Sequence, residues 1–306
     1  MVTKFSKRMQ KILEINQLTK KFGSFTAVDA INFSVEKGNV YGLLGPNGSG
    51  KSTTLGMILT TLKPTSGTWK WFGEEPNAQT LKKIGAIIES PKFYPYLSGE
   101  KNLRIVAEIK EVPYAKIDEK LELVGLLNRK KDKFENYSLG MKQRLAIAGA
   151  LLNDPEVLIL DEPTNGLDPQ GIIQIRELIQ KIASTGTTII LASHLLDEVE
   201  KVCSHVVVLK QGKMLYAGEV DQMNNSFGFF ELNADHPTVL LEALQQLPYF
   251  TSVKQKNKLI EATLNQEISA SALNQALAEK GIYVSHLVKR KESLENQFFQ
   301  LIQENN

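Results

Sequence analysis

The segment Gly45-Pro46-Asn47-Gly48-Ser49-Gly50-Lys51-Ser52-Thr53 limits what this chain can fold into more than any other. It carries the spacing G-x-x-x-x-G-K-[ST] between a short apolar run at 40–44 and a helical pattern at 52–62. A strand must therefore feed a tight glycine turn that opens directly into a helix. Glycines let the backbone turn with its N–H groups inward as an anion nest, and the helix adds the positive end of its dipole. Lys51 is placed to reach the β- and γ-phosphates of a nucleoside triphosphate, and Ser52 to offer a hydroxyl to Mg²⁺. Each part answers a charge on Mg-ATP.

Further on, Val157-Leu158-Ile159-Leu160 runs into Asp161 and Glu162. Four apolar residues ending in two acids read as a buried parallel strand that delivers carboxylates at its C-terminal end, where open α/β sheets place their ligands. Asp161 is expected to support the Mg²⁺ shell and Glu162 to face the attacking water.

At 306 residues the chain suits one large domain plus a small one. The formal net charge is +2, with acids and bases interspersed, so no nucleic-acid partner is expected. Lys4, Lys7, Arg8 and Lys11 form a basic cluster in residues 1–11, which read as an N-terminal extension and not as a secretory signal, since no apolar segment follows. A lone Cys203 excludes an internal disulfide and fits a reducing cytosol. No run approaches the length of a membrane-spanning helix, so attachment to a membrane is expected only through a partner.

Alternating segments at 12–18 and 26–35 predict half-buried strands, and Gly38-Asn39 turns the chain toward the phosphate loop. Strands are also expected near 67–73 and 84–88. From about 91 to 154 the pattern is helical, and strands and helices then alternate at 157–161, 172–183, 187–192, 195–202 and 205–209. A helical subdomain thus interrupts an α/β core of residues 12–223. Residues 224–306 follow the order β-α-β-β-α-β, ending in a helix at 292–304, which predicts a small α+β accessory domain of ferredoxin-like type without a catalytic constellation.

Two more motifs complete the pattern. Tyr137-Ser138-Leu139-Gly140-Met141-Lys142-Gln143-Arg144 opens a helix about twenty residues before the acidic strand, and Leu160-Asp161-Glu162-Pro163-Thr164-Asn165-Gly166-Leu167-Asp168 follows. The order resembles the ATP-binding cassette (ABC) ATPases, with a Walker A loop, signature helix, Walker B strand, D-loop and a switch histidine at His194. The resemblance covers about 12–220 and implies a P-loop nucleoside triphosphatase fold. It further implies that Phe22 stacks on adenine, residues 45–53 wrap the phosphates, Asp161 supports Mg²⁺, Glu162 is the general base, and His194 contacts the γ-phosphate.

Two departures stand out. The family signature is usually Leu-Ser-Gly-Gly-Gln, but here Leu139 and Met141 replace a glycine and the glutamine, while Ser138, Gly140 and the helix N-terminus are kept. Glu89 stands where the family usually has a glutamine that touches Mg²⁺ and senses the membrane subunit. A carboxylate there either tunes coupling or shares in base chemistry. Together with Ser138-Leu139-Gly140-Met141, it resembles the nucleotide-binding subunits of bacitracin-resistance and lantibiotic self-immunity exporters.

The resemblance implies a subunit on the cytoplasmic face of the membrane that pairs with a second cassette, head to tail on two ATP molecules, and drives a separate integral-membrane permease. The signature residues Ser138 and Gly140 would then complete the site of the partner cassette, and Asn165 to Asp168 would form the D-loop, with Asp168 among the nucleotide-binding residues. The rival is a soluble ABC ATPase switch acting on nucleic acid or the ribosome. Such proteins commonly carry two cassettes, a coiled-coil insertion or a basic linker, none of which is evident here.

Overall fold

The computed structural model describes residues 10–89, 92–223, 227–290 and Phe298. Lys4, Lys7 and Arg8, the start of the helical insert at residue 91, and the helix expected at 292–304, Phe298 apart, lie outside the described residues. Contacts divide the chain into two compact units, Met1–Glu219 and Val220–Asn306.

In the first unit, β1 (Lys11–Phe22) and β2 (Phe25–Glu36) form a hairpin around Gly23-Ser24, and β3 (Val40–Leu44) leads to α1 (Lys51–Ile58). Next come β4 (Ser66–Trp71), α2 (Ala78–Lys82) and β5 (Ile84–Ile87). The helical insert holds α3 (Gly99–Lys110), α4 (Ala115–Leu123) and α5 (Leu139–Leu151). The chain then returns through β6 (Val157–Asp161), α6 (Pro169–Ser184), β7 (Thr188–Ser193), α7 (Leu196–Val202), β8 (His205–Lys210) and β9 (Lys213–Glu219).

Strands β3, β6 and β7 are buried at every position, which is why they read as continuous apolar runs and lie inside a parallel sheet covered on both faces. The sheet order is β5-β6-β7-β3-β8-β9, all parallel except the edge strand β9. Leu44 pairs with Ser193, and Asp161 with Ala192, so the exits of β3, β6 and β7 share one edge.

A second, antiparallel sheet of order β2-β1-β4 packs into the same core, with Leu13, Leu18, Val28, Ile31 and Trp71 buried. Trp69 and Trp71 both donate their indole N–H to the carbonyl of Ile58, at 3.1 and 2.8 Å, and so finish α1 at its C-terminal end. Strand β9 is not foreshadowed by apolar alternation; its signal is the Gln211-Gly212 turn, both residues at positive φ, which folds it back on β8.

In the second unit, α8 (Val220–Met223) precedes β10 (Phe229–Ala234), α9 (Pro237–Gln245), β11 (Phe250–Lys256), β12 (Leu259–Leu264), α10 (Ala270–Ala278) and β13 (Val284–Arg290). The sheet order β11-β12-β10-β13 is antiparallel throughout. One face of β10 and β12 buries Phe230, Leu232, Ile260 and Ala262 with Leu240 and Leu244 of α9 and Leu273 and Leu277 of α10.

Gly67 is held at φ +86° where β4 meets β1, and a Cβ there would lie 2.2 Å from the carbonyl oxygen of Gln17. Gly67→Ala is expected to cost about 3 kcal/mol through overpacking and a left-handed backbone. A lower urea midpoint at unchanged slope would register it.

Candidate functional site

The phosphate loop is pressed against its surroundings. A Cβ on Gly45 would lie 2.3 Å from the carbonyl oxygen of Leu209, and one on Gly50, at φ +106°, 2.7 Å from that of Ala27. The N–H of Gly212 donates to Ser49 at 3.0 Å, and that of Asp29 to Gly212 at 2.8 Å, which ties the loop to the β8–β9 turn and to β2. Only glycine fits at either position, and both sheets fix the shape of the loop.

Helix α1 has glycine as its N-cap, no side-chain cap and no acid in its first turn. By contrast α3, α5 and α6 are capped by Ser98, Ser138 and Asp168. The first amides of α1 therefore lack an internal acceptor of the usual kind, and an anion is their natural partner. Ser49 Oγ is buried beside them without a hydrogen-bond partner.

Lys51 is buried, with Nζ donating to the carbonyls of Gly45 at 2.7 Å and Pro46 at 3.4 Å. The same Nζ lies 3.3 Å from Glu162 Oε1. Glu162 sits in the left-handed region at φ +48°, at the first residue beyond β6, where its N–H donates to Ala192 at 2.9 Å. That turn takes its side chain out of line with the strand. Glu162 Oε2 meets Nδ1 of His194 at 2.7 Å.

Asp161 is buried, and burial pushes its carboxyl above the usual range; a hydrogen bond from Ser52 opposes this, the charge of Glu162 adds to it, that of Lys51 opposes it, and Glu89 adds to it last. Its Oδ1 has no hydrogen-bond partner. Glu89, also left-handed at φ +61°, is exposed just past β5. An unsatisfied carboxylate oxygen beside a serine hydroxyl, with two further acids in electrostatic range, fits a hard divalent cation that takes oxygen ligands. The edge thus joins an anion cradle, a buried cation and oxygen ligands, the means to hold a metal triphosphate and activate water.

The structure brings together residues 45–53, Asp161, Glu162, His194 and, by its charge, Glu89. It does not bring Ser138, Gly140 and Asp168 to that loop. They line a separate cavity of about 360 Å³ with Leu139, Gly166 and Leu167, and no residue of 45–53 lines it. Ser138 Oγ accepts from the N–H of Met141 at 3.3 Å, and Asp168 from that of Gly171 at 2.8 Å, so both side chains already serve as caps. Phe22 is half exposed at the end of β1, with Lys20 Nζ 4.9 Å over its ring. Sequence reasoning passed over Thr164, Ser193 and Glu198, which form a buried hydrogen-bonded cluster behind the acids. The sequence carries little signal for it, since Glu198 is one of three acids in a short helix of which only Glu198 and Val199 are buried.

Residues 28–165 match the ABC transporter family. The bacitracin transport ATP-binding protein BcrA of Enterococcus faecalis is 37% identical over 300 residues, covering 96% of this chain and 97% of that protein. The chain belongs to the ABC transporter ATP-binding proteins. The cassette is also 42% identical to the lantibiotic transport ATP-binding protein SrtF of Streptococcus pyogenes, over 70% of this chain and 93% of that one. Among solved structures, the cassette MJ0796, a dimer in a post-hydrolysis state with ADP and Pi, superposes with a TM-score of 0.61 at 25% identity, covering 68% of this chain and 98% of that one. As an ABC ATPase the protein binds and hydrolyses ATP.

Because the Gly50 Cβ clash is with backbone and φ is left-handed, Gly50→Ala must shift the loop. ATP affinity measured by calorimetry on the folded variant is expected to fall at least about tenfold, and the thermal midpoint without nucleotide to fall as well, as for Gly67→Ala; an unchanged affinity would mean that the loop geometry does not matter for binding.

Proposed function

We propose that this ABC ATPase powers export of peptide antibiotics of the bacitracin or lantibiotic type, giving resistance or immunity, with an integral-membrane permease as a separate partner. The observation that carries this reading is the reach of the similarity. The bacitracin transport relative aligns with 96% of the chain, through both compact units, whereas a likeness confined to the cassette would be shared by ABC ATPases of any cargo. Glu89 and Ser138-Leu139-Gly140-Met141 support it. No helix among the described residues is long and apolar enough to cross a membrane, in keeping with peripheral attachment on the cytoplasmic face through the permease. We divide the chain into an extension at 1–11, a cassette at 12–223 with a helical subdomain at about 91–154, and a ferredoxin-like accessory domain at 224–306. The soluble switch acting on nucleic acid or the ribosome is disfavoured by a net charge of only +2 and by the transport proteins among the relatives.

In this mechanism the triphosphate takes the amides of 45–53 and the first turn of α1. Lys51 exchanges its loop carbonyls and Glu162 for the β- and γ-phosphates, which frees Glu162 to accept a proton from the attacking water. His194 keeps Glu162 oriented through Nδ1 and contacts the γ-phosphate, while Phe22 stacks on adenine. Ser52 and Asp161, with Glu89 in electrostatic range, would hold Mg²⁺, which would supply compensation for the charge that develops on the phosphate oxygens. Because Ser138, Gly140 and Asp168 lie away from their own loop, they serve the site of a second cassette. The dimeric post-hydrolysis neighbour supports a pair that closes around nucleotide.

Expressed with its permease in a susceptible host, the protein is expected to raise tolerance of bacitracin or a lantibiotic, and Glu162→Gln to abolish that gain. In the isolated variant, ATP should be retained, an ATP-dependent dimer should elute on size exclusion, and turnover should fall at least about 10²-fold, the low end for a positioned base. Wild-type turnover would remove Glu162 from that role. Glu89 is exposed and acts least on Asp161, so coupling is favoured over base chemistry. Glu89→Gln is expected to leave isolated ATPase within about threefold of wild type yet weaken resistance in cells; a loss near 10²-fold with dimerisation intact would make it a second base.

A further inference from the structure

Three buried polar side chains stand behind the site with no part in the chemistry assigned above: Thr164, Ser193 and Glu198. Glu198 lies in the first turn of α7, and α7 is seated directly on β3, since a Cβ on Gly42 would come within 2.6 Å of Val199 Cγ1. One oxygen of Glu198, Oε2, accepts the hydroxyl of Thr164 at 2.7 Å and that of Ser193 at 3.3 Å. Ser193 Oγ in turn accepts the N–H of Leu195 at 3.0 Å. Thr164 is two residues beyond Glu162, and Ser193 and Leu195 flank His194. The carbonyl of Thr164 also accepts the N–H of Leu167 at 3.1 Å, which carries the connection into the turn that ends at Asp168.

Burying a carboxylate with one oxygen, Oε1, unpartnered is costly, and an apolar side chain of similar volume would pack there at less cost. Stability does not account for Glu198. The geometry points to a positioning role: Glu198 fixes the turn after Glu162 and the corner around His194 to one atom, and thereby sets the 2.7 Å bond between them. The inference rests on the reading of Glu162 as base and His194 as its partner. It adds that whatever moves the Thr164–Asp168 turn, including closure on a second cassette, moves His194 through Glu198. A group displaced by about 1 Å in such a constellation costs on the order of 10²-fold in rate, so a lost tether should be visible in turnover.

The test compares Glu198→Gln, Glu198→Met and Thr164→Val in the full chain, each by thermal midpoint and by steady-state Mg-ATP hydrolysis. Glutamine presents a carbonyl oxygen to both hydroxyls, and its kcat should stay within about threefold of wild type. Methionine fills the space but gives the hydroxyls no comparable acceptor; KM for ATP should hold within about twofold while kcat falls about tenfold or more. Thr164→Val removes one arm only, and its kcat should fall by about threefold or more. A role confined to packing or to the helix dipole would move the midpoint and spare kcat. The inference is overturned if Glu198→Met, folded, hydrolyses ATP as wild type does, if Glu198→Gln is as damaged as Glu198→Met, or if Thr164→Val keeps the wild-type rate, the last result deciding alone should Glu198→Met not fold. Glu162→Gln and His194→Ala run alongside: wild-type turnover by either brings down the site reading and the inference with it, whereas inactive controls beside a fully active Glu198→Met bring down the inference alone.

Discussion

The registry of three parallel strands governs everything at the site. β3, β6 and β7 are buried along their whole length and hydrogen-bonded to one another, with Leu44 level with Ser193 and Asp161 level with Ala192. Each delivers its functional group within a residue or a short turn of its C-terminal end: the glycine loop, the acid pair and His194. A slip of two residues keeps every side chain on its face but shifts a strand end by about 6.6 Å, more than twice the reach of a hydrogen bond. The 2.7 Å Glu162–His194 bond therefore depends on apolar side chains that never meet nucleotide.

Charge is arranged with the same economy. Asp161, Glu162 and Glu89 gather near a single buried lysine, and Lys51 is already satisfied by the carbonyls of its own loop. A polyphosphate alone would meet three acids with one fixed cation and backbone dipoles to offset them. A divalent cation would resolve that imbalance, and the unpartnered Asp161 Oδ1 is an oxygen open to it.

The parts legible in the sequence were those whose physics is local. The glycine loop and the apolar runs of β3 and β6 announce themselves within a dozen residues, and in the second unit β10 and β12 alternate strictly between half-buried and buried positions. Within the segment read as helical, α3 and α5 begin where Ser98 and Ser138 accept the N–H groups of Lys101 and Met141 and so secure their first turns. β9 escaped because its apolar run Met214–Ala217 does not alternate with polar residues, and it lies half exposed at the sheet edge and ends in Gly218-Glu219. Ser138, Gly140 and Asp168 were legible only through family resemblance, since no contact inside this chain brings them to the phosphate loop. Glu198 was hidden for a different reason: its meaning lies in a hydroxyl 34 positions away in sequence, and no pattern along one element reveals it.

The two tryptophans of the chain end on the same carbonyl, that of Ile58 at the C-terminal end of α1. Both indoles thus sit in the negative field of the helix whose opposite end faces the phosphates, and neither is bonded to the groups that do chemistry. Any tilt, lengthening or tightening of α1 reaches them as a change in one hydrogen-bonded pair. Intrinsic fluorescence of this protein is, in effect, a strain gauge mounted on the far end of the phosphate-binding helix, supplied by the natural sequence without a label.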